Sequence, residues 1–144
     1  MAETDLPLRR IIHIAAFRAA LRDFLHRSEV VARNWDLTPQ RYLLLLAIKG
    51  APDGSERLSF TELAERMRLS RNTVTELCAR AEEAGLIGRE PADHDARVVY
   101  LRLTGEGDRR LTSAIREMEA DRADLIRAFD ELAETFRVAA RRRR

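Results

Sequence analysis

Much is missing from this sequence, and each absence narrows the answer. There is one cysteine, Cys78, so no intrachain disulfide framework can form. No run of 18 apolar residues occurs. The greasiest stretch, Tyr42 to Ile48, fits one helical face with its flanks rather than a membrane span. Near the N-terminus Leu6 and Leu8 give way to Arg9 and Arg10, without the apolar core and cleavage site of a secretion signal, so a cytoplasmic protein is expected. Linkers rich in Pro, Gly or Ser, low-complexity tracts and internal repeats are also lacking. Lys49 is the only lysine, and every other basic residue is arginine. We read that bias as base composition rather than special guanidinium chemistry.

What remains is a chain of 144 residues with 45% apolar and 35% charged side chains. Such a chain is too hydrophobic for disorder and too charged for a bilayer. At this length about two-thirds of the unfolded surface can be buried without a metal or disulfide staple. The net charge of +2 is unevenly placed, because four of the 26 basic residues are Arg141, Arg142, Arg143 and Arg144. Without them 22 basic residues face 24 acidic ones. Composition alone therefore does not mark a nucleic-acid binder, and position must carry that case. The terminal arginines fit a solvated, frayed end better than an anion site.

Four prolines and six glycines cluster at a few breaks that divide the chain into helical blocks. Apolar three- and four-residue steps from Ile11 to Leu25 predict a first helix from about Leu8 to Arg33. Thr38 is a cap for the next helix, with Pro39 at its first position and Tyr42 to Ile48 as its buried body. A polar turn follows to Arg57. Ser59 and Glu62 then form a capping-box pattern, flanked by the staple pair Leu58 and Leu63, for a helix to about Met67. After a turn at Arg68 and Leu69, Ser70 caps a helix whose buried face is Val74, Leu77, Cys78 and Ala81, stopped by Gly85. Two short helices joined this way are the helix-turn-helix pattern. Leu86 to Arg89 reads as a strand, Glu90 to Ala96 as a turn, and Arg97 to Leu103 alternates as a second strand. The expected architecture is mainly α with a small β-wing: a winged helix-turn-helix with N- and C-terminal dimerisation helices. Thr104 caps a final helical region whose apolar series runs Leu111, Ile115, Met118, Leu125, Phe129, Leu132 and Phe136, a helix–helix seam. Its partner is either the first helix of the same chain or a second copy.

The segments expected are 1–36 for an N-terminal dimerisation helix, 37–104 for a DNA-binding domain and 105–144 for C-terminal dimerisation helices. On the second helix of the motif, Arg71, Asn72, Thr75 and Glu76 point outward near the N-terminus, with Thr73 at the edge. Side chains there reach base edges and phosphates in the major groove, Arg pairing with guanine, Asn with adenine, Ser and Thr holding phosphate. The wing carries Arg89, Asp93, His94, Asp95, Arg97 and Arg102. Arg97 is the candidate for minor-groove insertion, where a narrow groove concentrates negative potential. Asp95, two residues away, is placed to hold Arg97 or brace the loop. His94 is either a phosphate contact or a solvated loop residue. Asp93, His94 and Asp95 lack the ligand number and spacing of a metal site, and neither metal nor cofactor is expected. The candidate DNA-contacting residues are thus Ser70, Arg71, Asn72, Thr73, Thr75, Arg89, His94, Asp95 and Arg97.

At these residues the sequence resembles the multiple-antibiotic-resistance regulator (MarR) family of bacterial winged-helix repressors. The resemblance covers most of the chain. It rests on Leu37 to Gln40, Leu58 to Ala64, Ser70 to Thr75, Glu83 to Ile87, and most specifically Asp95-Ala-Arg97 followed by Leu103-Thr104 and Gly107. The resemblance implies a homodimer built from the first and last two helices, bound to short, roughly palindromic double-stranded DNA with half-sites about 10 bp apart. It also implies repression by occluding RNA polymerase, relieved by a small aromatic or phenolic effector or by cysteine oxidation. His13, Phe17, Trp35, Arg41 and Tyr42 stand near the implied effector pocket, and none is assigned as a site.

Two departures stand out. Glu76 occupies a position where many relatives carry a basic residue, and Glu82 and Glu83 add negative charge further along. Cys78 lies on a buried face, whereas redox-sensing members place their cysteine in the first helix, so oxidation sensing is not expected. Glu76 and the near-neutral body motivate a second reading, a winged-helix module that binds protein and has little DNA affinity. An enzyme is not expected, because no nucleophile elbow, phosphate-binding Gly-rich loop or metal motif occurs.

Overall fold

The computed structural model describes residues 6–142 and residue 144. Residues 1–5 and Arg143, which fall in the expected dimerisation segments and the terminal arginine run, lie outside the described residues. Six helices and three strands follow one another among the described residues: α1 (Leu8–Asn34), α2 (Pro39–Lys49), β1 (Arg57–Ser59), α3 (Phe60–Met67), α4 (Arg71–Glu83), β2 (Ile87–Pro91), β3 (Val99–Leu103), α5 (Gly105–Glu117) and α6 (Glu119–Arg142). The chain divides into two compact units, one of residues 31–116 and one of residues 1–30 with 117–144.

In the larger unit the caps form where small polar residues stand before apolar runs. Thr38 accepts from the Arg41 amide (3.1 Å), Ser59 from Glu62 (3.2 Å), Ser70 from Thr73 (3.1 Å) and Thr104 from Gly107 (3.1 Å). Three helices close on a residue with positive φ: Asp36 (54°), Arg68 (55°) and Gly85 (73°). Each closure has the same paired bonds back into the helix, as in Leu86 N to Ala81 O and Gly85 N to Glu82 O. Only Gly85 meets this geometry without a Cβ penalty.

The core of this unit is Leu44, Leu45 and Ile48 of α2, Leu63 of α3, Val74, Cys78 and Ala81 of α4, Leu86, Leu101 and Leu111, all fully buried. Leucine side chains of this kind stabilise by about 1.5–3 kcal/mol each.

The wing is the expected hairpin of β2 and β3, but the sheet around it and the strand bounds need correction. β1 adds to β3 on the side opposite β2, giving sheet order β1-β3-β2 with Leu58 opposite Leu101. β2 also runs on to Pro91 and β3 starts only at Val99. Glu90 and Pro91 are strand residues opposite Tyr100 and Val99, while Arg97 belongs to the loop. Pro91 is tolerated because β2 is an edge strand. The last apolar series is carried by two helices, as the family resemblance implies, divided at Met118 without a glycine or proline to mark the break.

In the smaller unit α6 has no buried residue along its length. Phe129 meets Phe17 edge-on at 5.9 Å between ring centroids, and the Arg10 guanidinium lies 4.5 Å from the Phe136 ring centre. Ile11, Ile12, Leu25, Ile126, Phe129 and Phe136 remain exposed. Among the described residues no helix is long and apolar enough to cross a membrane.

Gly107 packs directly on the backbone of Leu86, where an added Cβ would overlap the Leu86 carbonyl oxygen. Gly to Ala inside a helix ordinarily stabilises by up to about 1 kcal/mol. Here the sign reverses: Gly107→Ala is expected to cost about 1–3 kcal/mol through overpacking. Gly105, with open space around it, is the control, and Gly105→Ala is expected to be neutral or stabilising. Urea denaturation midpoints of the two variants decide the point. Equal midpoints would show that the close approach is not a constraint.

Candidate nucleic-acid interface

α4 turns Val74, Leu77, Cys78 and Ala81 into the core, as expected from the sequence, and leaves Asn72, Thr75, Glu76 and Ala79 in solvent. This separation follows from helical geometry, since residues three and four apart share a face.

The expected contact residues are in different states. Ser70 Oγ accepts from the Thr73 amide and lies 2.8 Å from Thr73 Oγ1, so both hydroxyls serve the helix cap. Thr75 donates its hydroxyl to the Arg71 carbonyl (2.8 Å). Arg71 reaches back to α3, donating from Nη1 to Thr61 Oγ1 (2.9 Å) with its guanidinium 5.8 Å from the Phe60 ring centre. Arg89 donates from Nε to both carboxylate oxygens of Glu82 (3.0 and 3.2 Å) and lies 5.3 Å from the same ring. Phe60 is therefore flanked by two guanidinium groups, a contact of roughly 0.5–1 kcal/mol each at exposed sites. No local pattern foretells this arrangement, because Arg71 and Arg89 lie 11 and 29 residues beyond Phe60.

On the wing, a single oxygen of Asp95 accepts from the Arg97 amide (2.9 Å) and from Arg97 Nε (3.3 Å). Asp95 thus both braces the loop and holds the arginine. The Arg97 side chain is 92% exposed. The loop is closed further by Ala92 N to Val98 O and Val98 N to Asp95 O, each 3.0 Å. Arg97 and Arg71 line one groove of about 320 Å³ together with Ser59, Phe60, Thr61, Val98 and Val99. His94 is exposed and does not line it. Among the described residues no three His, Cys, Asp or Glu side chains are grouped to hold a metal ion.

The wing rests on a charged base. Glu90 accepts from Arg57 (3.0 Å) and Arg102 (2.9 Å), and Arg57 stacks on Tyr100 at 4.2 Å. The Arg102 hydrogen bond, ahead of the other contacts, holds the Glu90 carboxyl below the usual range. Lys49 lies between Glu56 (2.6 Å) and Asp108 (2.8 Å), and its bond to Asp108 first, then that to Glu56, raises its pKa.

Three strands, a helix-turn-helix and an arginine at the wing tip define a winged helix-turn-helix protein. The MarR family model matches residues 35–98, the span from the α1–α2 turn to the wing tip. The transcriptional regulator FarR of Neisseria gonorrhoeae is 32% identical over 111 residues, covering 77% of this chain and 68% of FarR. PecS of Dickeya dadantii is 27% identical over 116 residues, covering 81% of this chain and 65% of PecS. A MarR family protein from Bacillus stearothermophilus superposes with a TM-score of 0.70 at 25% identity, over 96% of this chain and 95% of that one. A cysteine-to-serine mutant of E. coli MarR, solved in complex with operator DNA, has the same fold (TM-score 0.65, 19% identity, 94% of this chain and 93% of that one). The chain belongs to the MarR family, a family of transcriptional regulators.

Cys78 is fully buried, and burial, with Glu82 adding to it, pushes its thiol up to about 11. At pH 8 the thiolate is then on the order of 0.1% of the population. Ellman's reagent is expected to leave the native protein unlabelled at pH 8 and to titrate one thiol after denaturation. Rapid labelling of the folded protein would contradict the inert assignment.

Proposed function

We propose that this protein is a homodimeric, sequence-specific regulator that binds double-stranded DNA, most simply as a repressor. α4 enters the major groove and Arg97 enters the adjacent minor groove. The single observation that carries this reading is the Arg97 side chain. It is almost wholly exposed at the wing tip, oriented by Asp95, and shares a groove with Arg71 at the start of α4. A charged side chain held in place yet left in solvent is suited to a partner of opposite charge, and a narrow minor groove is such a partner.

Residues 37–104 are the DNA-binding segment and the flanking helices the dimerisation elements. The unburied length of α6 and the exposed apolar side chains of α1 and α6 support a second copy as their partner. Two-fold symmetry then makes the operator roughly palindromic with half-sites about 10 bp apart. Ser70, Asn72, Thr73 and Thr75 face the major groove, and Arg89 and His94 stand beside the wing as phosphate-side residues. Release by a small aromatic or phenolic effector, and action in the cytoplasm, complete the reading that family membership supports.

Binding-site selection from a random duplex library at near-physiological salt tests it. A palindrome with half-sites one turn apart is the expected product. No enrichment by the folded dimer would favour a module that binds protein. On the selected site, Arg97→Ala is expected to weaken binding about ten-fold or more, within the range of one specific contact, with an unchanged melting temperature. Equal affinity of the two proteins would remove Arg97 from the interface.

A further inference from the structure

Three acidic side chains beside the proposed DNA-binding face have a basic partner, and Glu76 on α4 does not. Glu82 is held by Arg89 (3.0 Å), Asp95 by Arg97 (3.3 Å), and Glu90 by Arg57 and Arg102 (3.0 and 2.9 Å). Glu76 is exposed in the middle of α4, and among the described residues its carboxylate has no ion pair and no hydrogen bond. Arg80 stands four residues on, in the orientation that favours an ion pair, yet the pair is not made. Glu76 also stands four residues after Asn72, on the same outward face, with Ala79 on the next turn.

A carboxylate offers only acceptors. It cannot contact phosphate favourably, and its presence on this face weakens non-specific attraction to DNA. In the major groove the matching donors are the amino groups of cytosine and adenine. Adenine sets its amino group beside the N7 acceptor, which repels the second carboxylate oxygen. Cytosine has no acceptor on that side. Guanine and thymine present acceptors and would leave the carboxylate desolvated and unpaired, the costly outcome for a buried polar group. We propose that Glu76 is a specificity-determining residue that accepts a hydrogen bond from the N4 amino group of a cytosine in each half-site. That base lies within about two base-pair steps of the base read by Asn72, since four helical residues rise about 6 Å. The assignment rests on the DNA-binding reading of α4.

The experiment is site selection from a random duplex library with the wild type, Glu76→Ala and Glu76→Gln. Both variants sit on an exposed helical surface and use good helix formers. Wild type is expected to enrich cytosine at one fixed position per half-site. Glu76→Ala is expected to lose about ten-fold of that preference at that position alone, while its affinity for unrelated duplex rises. Glu76→Gln is expected to move the preference toward adenine, whose N6 and N7 pair with a carboxamide. A consensus identical in all three proteins, or relaxed evenly at every position, overturns the role of Glu76 and leaves DNA binding standing. No enrichment by the wild type overturns the DNA-binding reading, and the role of Glu76 with it.

Discussion

The fold of the larger unit turns on one backbone carbonyl. Leu86 O accepts from the Thr104 amide at 3.0 Å, and the same oxygen forbids any side chain at Gly107. Thr104 adds its hydroxyl to the Gly85 carbonyl at 2.6 Å and accepts from Gly107 N, while Leu86 N closes the end of α4 on Ala81. The end of α4, the start of β2, the end of β3 and the start of α5 therefore meet within a few ångströms. The wing is not an appendage on a flexible stalk, because both of its strands leave from a junction that also terminates α4. The distance from the start of α4 to the wing tip is set there.

The interface gains its order by spending interactions among its own members. Ser70 and Thr73 fix the cap, Arg71 leans on Phe60 and Thr61, Arg89 is shared by Phe60 and Glu82, and Asp95 holds Arg97. Arginines restrained in this way lose less conformational freedom on meeting a partner than free ones would. The same pairings lower the net positive field, consistent with a chain whose body carries slightly more acid than base. Such a surface gives up non-specific attraction in favour of placement.

Most of this architecture was legible in the sequence because its signals are local. Thr38, Ser59, Ser70 and Thr104 each announce a helix start within four residues, and Gly85 announces a stop. The elements that escaped lack a local signal. β1 is three residues long and ends on the very serine that caps α3, too short to display alternation. The turn at Arg68 and Leu69 was legible, but that Arg68 takes it at positive φ, without the glycine that usually serves there, was not. The break at Met118 is marked by no helix breaker. At the candidate interface the sequence placed the side chains on the correct faces. It could not tell that Thr75 bonds its own helix, or that Phe60 gathers two distant arginines, since those depend on tertiary distances.

The near absence of lysine has a consequence for control. Every permanent cation among the described residues of α4 and the wing is a guanidinium, and a guanidinium neither titrates in the physiological range nor accepts an acetyl group as an amine does. The one amine side chain, Lys49, lies between two carboxylates, whose bonds to it raise its pKa. Acylating signals thus have no grip on the charge of this surface.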